Sequence, residues 1–210
     1  MKVMIFTDSY APSSGTVYQQ VRSMRQSLVN HEIDVFVVTP KTSAAIIENS
    51  PAMCLVQDVH KDKQRILDYI EQCAPDLIHV MTYGPIGTFA STYFAKGNIP
   101  MIHSLIEDVR RTDDKLVSRL KEMWRWFRLR RLTKASRAVL VPSTYWKEVV
   151  EKNGIFSNIV WHPGINIGDY NPHKKRKGLL TTDAFSFLIM SQKNDKIVQE
   201  AWDRCYDKMS

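Results

Sequence analysis

The stretch MIFTDSYAPSSGTVYQQV, Met4–Val21, decides how the rest of the chain is read. A short apolar run closed by Thr7-Asp8 leads into a turn-rich loop with a single glycine, Gly15. Apolar residues then return at helical spacing, at Val17, Val21, Met24 and Leu28. A strand, a glycine loop and a helix present backbone N–H groups at a helix N-terminus, which suits an anion such as phosphate. The plainer reading of Gly15 is a tight turn that needs a small residue. The dinucleotide fingerprint GxGxxG is absent, so the loop reads as half of a phosphate site rather than a complete one.

Working outward, strands and helices alternate. Lys2–Thr7 is a buried strand and Thr16–Asn30 a helix. Asp34–Thr39, DVFVVT, is β-branched, and Pro40 stops it. Met53–Gln57 is a weaker strand, and Asp62–Gln72 a helix with Ile66, Leu67 and Ile70 on one side. PDLIHVM is a turn and strand, TYGPIG a Gly/Pro loop, and Ile86–Ala95 a helix. GNIPMIHSL gives another turn and strand, and Asp113–Lys134 a long helix. RAVLVPS is a strand ending at Pro142. Ser143 or Thr144 caps a helix through Lys152 that Gly154 closes, and NIVWHPGIN adds a final strand and turn.

Apolar strands alternating with amphipathic helices predict an α/β protein with a doubly wound, mostly parallel, Rossmann-like sheet. Ligands of such sheets bind beyond the carboxyl ends of the strands. That selects the loops Asp8–Thr16, Thr82–Gly87, Ser104–Asp114 and Pro142–Thr144, followed by Pro163–Asn166. One domain is expected over 1–172 and a basic linker over 173–182, where NPHKKRKG shifts the composition. Residues 183–210 then read as the first β-α step of a second, truncated unit.

At 44% hydrophobic and 24% charged residues, the composition is that of a soluble globular protein. Cys54, Cys73 and Cys205 fit neither a metal knuckle nor a disulfide framework, so free thiols in a reducing compartment are expected. Neither a signal-peptide core nor an ~18-residue apolar span is visible. The expected location is cytoplasmic, with peripheral attachment to a membrane as an option. The net charge of +7 is concentrated: from Arg119 to Arg137 eight Lys/Arg stand against Glu122 alone, which equals the whole excess.

Four separated segments, in this order, resemble the N-terminal domain of family 4 glycosyltransferases, the retaining enzymes of GT-B fold. They are MKVMIFTDSYAPSSGTVYQQVRSMRQSL with DVFVVTP, PDLIHVMTYGPIG, IPMIHSLIEDV, and RAVLVPSTYWKEVVEKNG with NIVWHPGINIGDYNP. WHPGIN and the long helix before it lean towards the lipid sulfoquinovosyl- and mannosyltransferases of that family. Two departures stand out. The family has two glycines or a Gly-aromatic pair where this chain has only Gly15. Ile106 stands where the family has its motif histidine, although Asp108 matches the motif aspartate. The family's donor-binding half carries an Arg and Lys for the diphosphate and paired glutamates. FSFLIMSQKNDKIVQEAW resembles only its first strand and helix.

The resemblance implies a hexosyltransferase that uses a nucleotide sugar and no other cofactor, with a lipid or glycan acceptor. Ser14, Gly15 and Thr16 would face the donor phosphate across a cleft. Tyr83, Gly84, His103, Glu107 and Asp108 would contact the acceptor, and no catalytic residue is assigned. Against these stand plainer readings: a rigid turn at Tyr83-Gly84-Pro85, and a core role for His79. No His/Cys/acid spacing supports a metal site. In RLKEMWRWFRLRRLTK, cations and interfacial tryptophans suit an anionic membrane, with Trp124, Trp126, Arg128, Arg130 and Arg131 facing it. The alternative is a core helix with solvated arginines. The patch also fits nucleic-acid phosphates, but no recognition module accompanies it. A non-catalytic GT-B-derived binding protein is the competing function.

Overall fold

The fold is that of a computed structural model, which describes residues 1–10, 16–42, 45, 50–106, 116–156, 158–162 and 164. The chain divides into two compact units, Met1–Asn166 and Ile167–Ser210. The expected linker and second β-α step lie outside the described residues, as does Cys205.

The first unit runs β1 (Lys2–Phe6), α1 (Thr16–Asn30), β2 (Asp34–Pro40), β3 (Met53–Val56), α2 (Lys63–Cys73), β4 (Leu77–Val80) and α3 (Pro85–Phe94). It continues with β5 (Met101–Ser104), α4 (Leu116–Thr133), β6 (Ala138–Val141), α5 (Thr144–Lys152) and β7 (Asn158–Val160). The seven strands form one sheet in the order β3-β2-β1-β4-β5-β6-β7, and every neighbouring pair is parallel. The doubly wound, Rossmann-like α/β sheet expected from the sequence is therefore present.

Period-2 alternation sorts the side chains of each strand between the two faces. On β1, Val3 and Ile5 join Val17, Tyr18 and Val21 of α1 in one apolar cluster. Met4 and Phe6 join Ile66 and Ile70 of α2 and Ile86, Ala90 and Phe94 of α3 in the other. A third cluster seats Trp126 and Leu129 of α4 and Val150 of α5 against Val139 and Val141 of β6. Strands buried on both faces must be apolar throughout, which is why these runs lack polar alternation.

The ends of α5 follow their sequence signals. The Ser143 side chain accepts the Trp146 N–H at 3.1 Å. Gly154 takes φ +75°, a left-handed conformation that closes a helix at little cost only for glycine.

Candidate functional site

The strand order reverses direction between β1 and β4, which makes the crevice beyond their carboxyl ends the topological switch point. Asp8 follows β1 there, and Thr82–Gly87 follow β4. The two loops are joined. The Asp8 carboxylate accepts the N–H of Ile86 at 2.7 Å, the N–H of Gly87 at 3.1 Å and the Thr82 hydroxyl at 2.7 Å. The Asp8 N–H in turn donates to Thr82 Oγ1 at 2.6 Å.

Asp8 thus caps α3 from another element. The helix opens with Gly84 and Pro85 and has no capping side chain of its own. A carboxylate at a helix N-terminus satisfies orphan N–H groups and complements the dipole. The fit leaves no room for a Cβ: one on Gly84 would lie 2.5 Å from Asp8 Cγ, and one on Gly87 would overlap the Thr82 carbonyl oxygen. The anion seat of α3 is therefore filled from within the protein.

The β4–α3 loop is braced from its other side by Arg128. Its guanidinium donates to the Tyr83 carbonyl at 2.8 Å and to Thr88 Oγ1 at 2.6 Å, and lies 5.8 Å from the centroid of the Trp124 ring. Tyr83 stacks on His103 with centroids 5.9 Å apart and donates its hydroxyl to the Ser104 carbonyl at 2.9 Å.

Beneath this loop lie two buried histidines. Ser91 donates to the Gly87 carbonyl at 2.7 Å and so accepts from His103 Nε2 at 2.8 Å. His103 Nδ1 then accepts the Ser136 hydroxyl at 2.6 Å. This tautomer follows from the network. His79 Nε2 meets Ser104 Oγ at 2.7 Å. Burial holds His79 down to about 4, and burial plus the charge of His79 holds His103 down to about 3. Both rings are neutral at physiological pH and serve as packing and hydrogen-bonding groups.

Several sequence expectations are corrected. His103 does not face an acceptor: it is 0% exposed and both its ring nitrogens are bonded within the protein. Trp126 does not face a membrane: it is 5% exposed and packs in the α4–β6 cluster. Arg128 turns to the β4–α3 loop, not outward. Trp124, Arg130 and Arg131 are exposed. Tyr83 and Gly84 stand at the carboxyl edge. Ser14, Gly15, Glu107 and Asp108, and the side chain of Thr16, lie outside the described residues.

Asp8 is the residue that sequence reasoning missed. Its signal was a helix opening with Gly-Pro, without a Ser, Thr, Asp or Asn cap, in a chain with an acidic residue just past its first strand. Cys54 and Cys73 are free and buried, and burial raises both thiols, so neither behaves as a nucleophile. Among the described residues, no three His, Cys, Asp or Glu side chains converge as metal ligands would. Two surface grooves lie away from the switch point. One, of about 410 Å³, runs between α4 and the end of α5, and the other, of about 710 Å³, lies beside β3.

A parallel sheet with its ligand edge at a β1/β4 switch point defines a Rossmann-like α/β domain. The sequence matches the family model "Glycosyltransferase Family 4" over residues 17–169, and the chain belongs to that family. Among curated proteins none matches it. Solved structures share the fold at low identity. The S. aureus MnaA–UDP complex aligns with TM-score 0.53 and 16% identity, over 76% of this chain and 43% of that one. The UDP-GlcNAc 2-epimerase from Methanocaldococcus jannaschii gives 0.53 and 15%, over 76% and 45%. An alpha-glucosyltransferase bound to UDP-glucose and DNA gives 0.51 and 12%, over 80% and 44%. The chain thus spans less than half the length of the structures it matches. Among the described residues, no helix is long and apolar enough to cross a membrane.

Proposed function

We propose that this chain is the acceptor-side half of a retaining glycosyltransferase, which moves a hexose from a nucleotide sugar to a hydroxyl of a lipid or glycan. The observation that carries this reading is the braced β4–α3 loop. Asp8 and Arg128 hold Tyr83–Thr88 from two sides at the carboxyl edge of a family 4 sheet. A loop fixed in this way can present one face of a substrate with little ordering cost. The donor would be held by a second domain, with its diphosphate approaching the N-terminus of α1 past Ser14, Gly15 and Thr16. Glu107 and Asp108, which come after β5 in the sequence, would complete the acceptor contacts. A lipid acceptor accords with the basic, aromatic helix α4, which would attach the protein peripherally to an anionic membrane on the cytoplasmic side.

The second reading is a non-catalytic GT-B-derived binding protein. Ile106, in the position of the family's motif histidine, packs partly buried against the β1–α1 cluster, and His103 is a core residue. The turn after β5 therefore offers no imidazole to a substrate within 101–106. A nucleotide-sugar turnover assay separates the two. The chain is tested alone and together with candidate donor-binding domains, with lipid and glycan acceptors present. Transfer that requires this chain, with retained anomeric configuration by NMR, supports the enzyme. Acceptor binding with no turnover in any combination supports the binding protein.

A further inference from the structure

We propose that the outer face of α4 from Leu120 to Phe127 is a ledge that overhangs the acceptor edge of the sheet and docks on an anionic bilayer. This rests on the membrane and lipid-acceptor reading above and specifies how that reading is built. Because α4 returns from the carboxyl end of β5 to the start of β6, its N-terminal half lies on the ligand edge. Arg128 is fixed at that edge by Tyr83 and Thr88. At 1.5 Å per helical residue, Leu120 stands about 12 Å further out.

Burial follows the same geometry. From Leu120 to Arg125 no side chain is buried, whichever way it points, and burial begins at Trp126. On this stretch and the turn after it, Leu120, Met123, Trp124 and Phe127 are 55%, 62%, 61% and 56% exposed. Their spacing places them on one face. The face opposite the core is therefore also apolar, which a solvated helix has no reason to be. Exposed Lys121 and Arg130 flank the strip and exposed Arg131 continues it, with Glu122 as the one acid from Leu120 to Thr133. An apolar strip with an exposed tryptophan and cationic borders complements the interface of an anionic bilayer. The assignment moves lipid contact from the basic second half of the helix to its apolar first half. It also sets the bilayer beside the Tyr83–Gly84 loop, so that a lipid acceptor could offer its headgroup hydroxyl without leaving the membrane.

The test uses the full 210-residue chain with phosphatidylcholine vesicles, with and without phosphatidylglycerol. Binding is read by sedimentation, and insertion by quenching of tryptophan with brominated lipid. The wild type should bind only the anionic vesicles and be quenched. The double variant Leu120→Ser/Phe127→Ser should lose binding by about tenfold or more, with unchanged thermal unfolding. Trp124→Phe should remove most of the quenching. Undiminished binding of the double variant, with loss in Arg130→Gln/Arg131→Gln, would overturn the ledge and leave the membrane reading intact. No binding to any vesicle would remove both. A dimer that dissociates in the double variant would assign the face to a second copy of the chain. A drop in its thermal stability would assign the face to another segment of this chain. Either result overturns the proposal.

Discussion

The carboxylate of Asp8 accepts the backbone N–H of Ile86 at 2.7 Å, across 78 residues of sequence. This contact ties the end of the first strand to the start of the helix after the fourth, at the point where the sheet reverses its winding. The same carboxylate takes Gly87 N–H and the Thr82 hydroxyl. Replacing Asp8 with Ala strands all three donors. A destabilisation of about 2 kcal/mol is expected, from lost capping and unmade hydrogen bonds to a charged acceptor. Asp8→Asn keeps one acceptor oxygen and should lose less. Urea unfolding of the two variants checks the order.

Gly87 is expected to be intolerant of any side chain. A Cβ there would overlap the Thr82 carbonyl, which is backbone and cannot swing aside. Gly87→Ala should cost about 3 kcal/mol, the upper part of the overpacking range. Gly97 is the control: a Cβ there meets only the Phe94 carbonyl oxygen, at 3.7 Å. Gly97→Ala should be near neutral. Equal losses in the two variants would show that the Asp8–Gly87 fit is not what makes the position special.

Arg128 should govern the mobility of the β4–α3 loop more than global stability. Arg128→Ala removes the donors to the Tyr83 carbonyl and Thr88 Oγ1. Amide exchange over Tyr83–Thr88 should accelerate about tenfold, the equivalent of about 1.4 kcal/mol. Arg128→Lys restores the charge without the planar fork, and should recover part of the protection. Exchange unchanged in both variants would mean that Asp8 alone holds the loop.

Stability should fall on acidification through the range set by the two buried histidines. Both have folded values below their ordinary value of 6.5, near 4 for His79 and 3 for His103. Below that ordinary value the unfolded chain binds protons that the folded protein does not. Stability is therefore full above about pH 6.5 and is lost as pH falls towards 4, by about 1.4 kcal/mol per pH unit for each ring. His103→Gln should roughly halve this slope. Chemical denaturation at a series of pH values measures it.

Trp126 and Trp124, two residues apart on α4, show where sequence reading reaches its limit. Both belong to a basic, aromatic helix, and composition treats them alike. In the fold Trp126 is 5% exposed against β6 and Trp124 is 61% exposed. Helical periodicity shows that they point in different directions, but not which direction is the core. That depends on where the sheet edge crosses the helix. His103 is a parallel case: its position near a strand end suggested a ligand contact, whereas Ser91 and Ser136, from two other elements, close both its nitrogens.

The sequence by itself determined the alternation of strands and helices, the parallel doubly wound sheet and the loops on its ligand edge. Those features follow from local periodicity and from connection rules that act on neighbouring elements. Ser143 and Gly154 were legible for the same reason, since a helix end is a local event. Tertiary structure alone decided that Asp8 caps α3, that Arg128 turns inward, and that the side chains of Leu120 to Arg125 on α4 stay unburied. Each depends on contacts between elements far apart in the chain, and no pattern within a single segment records them.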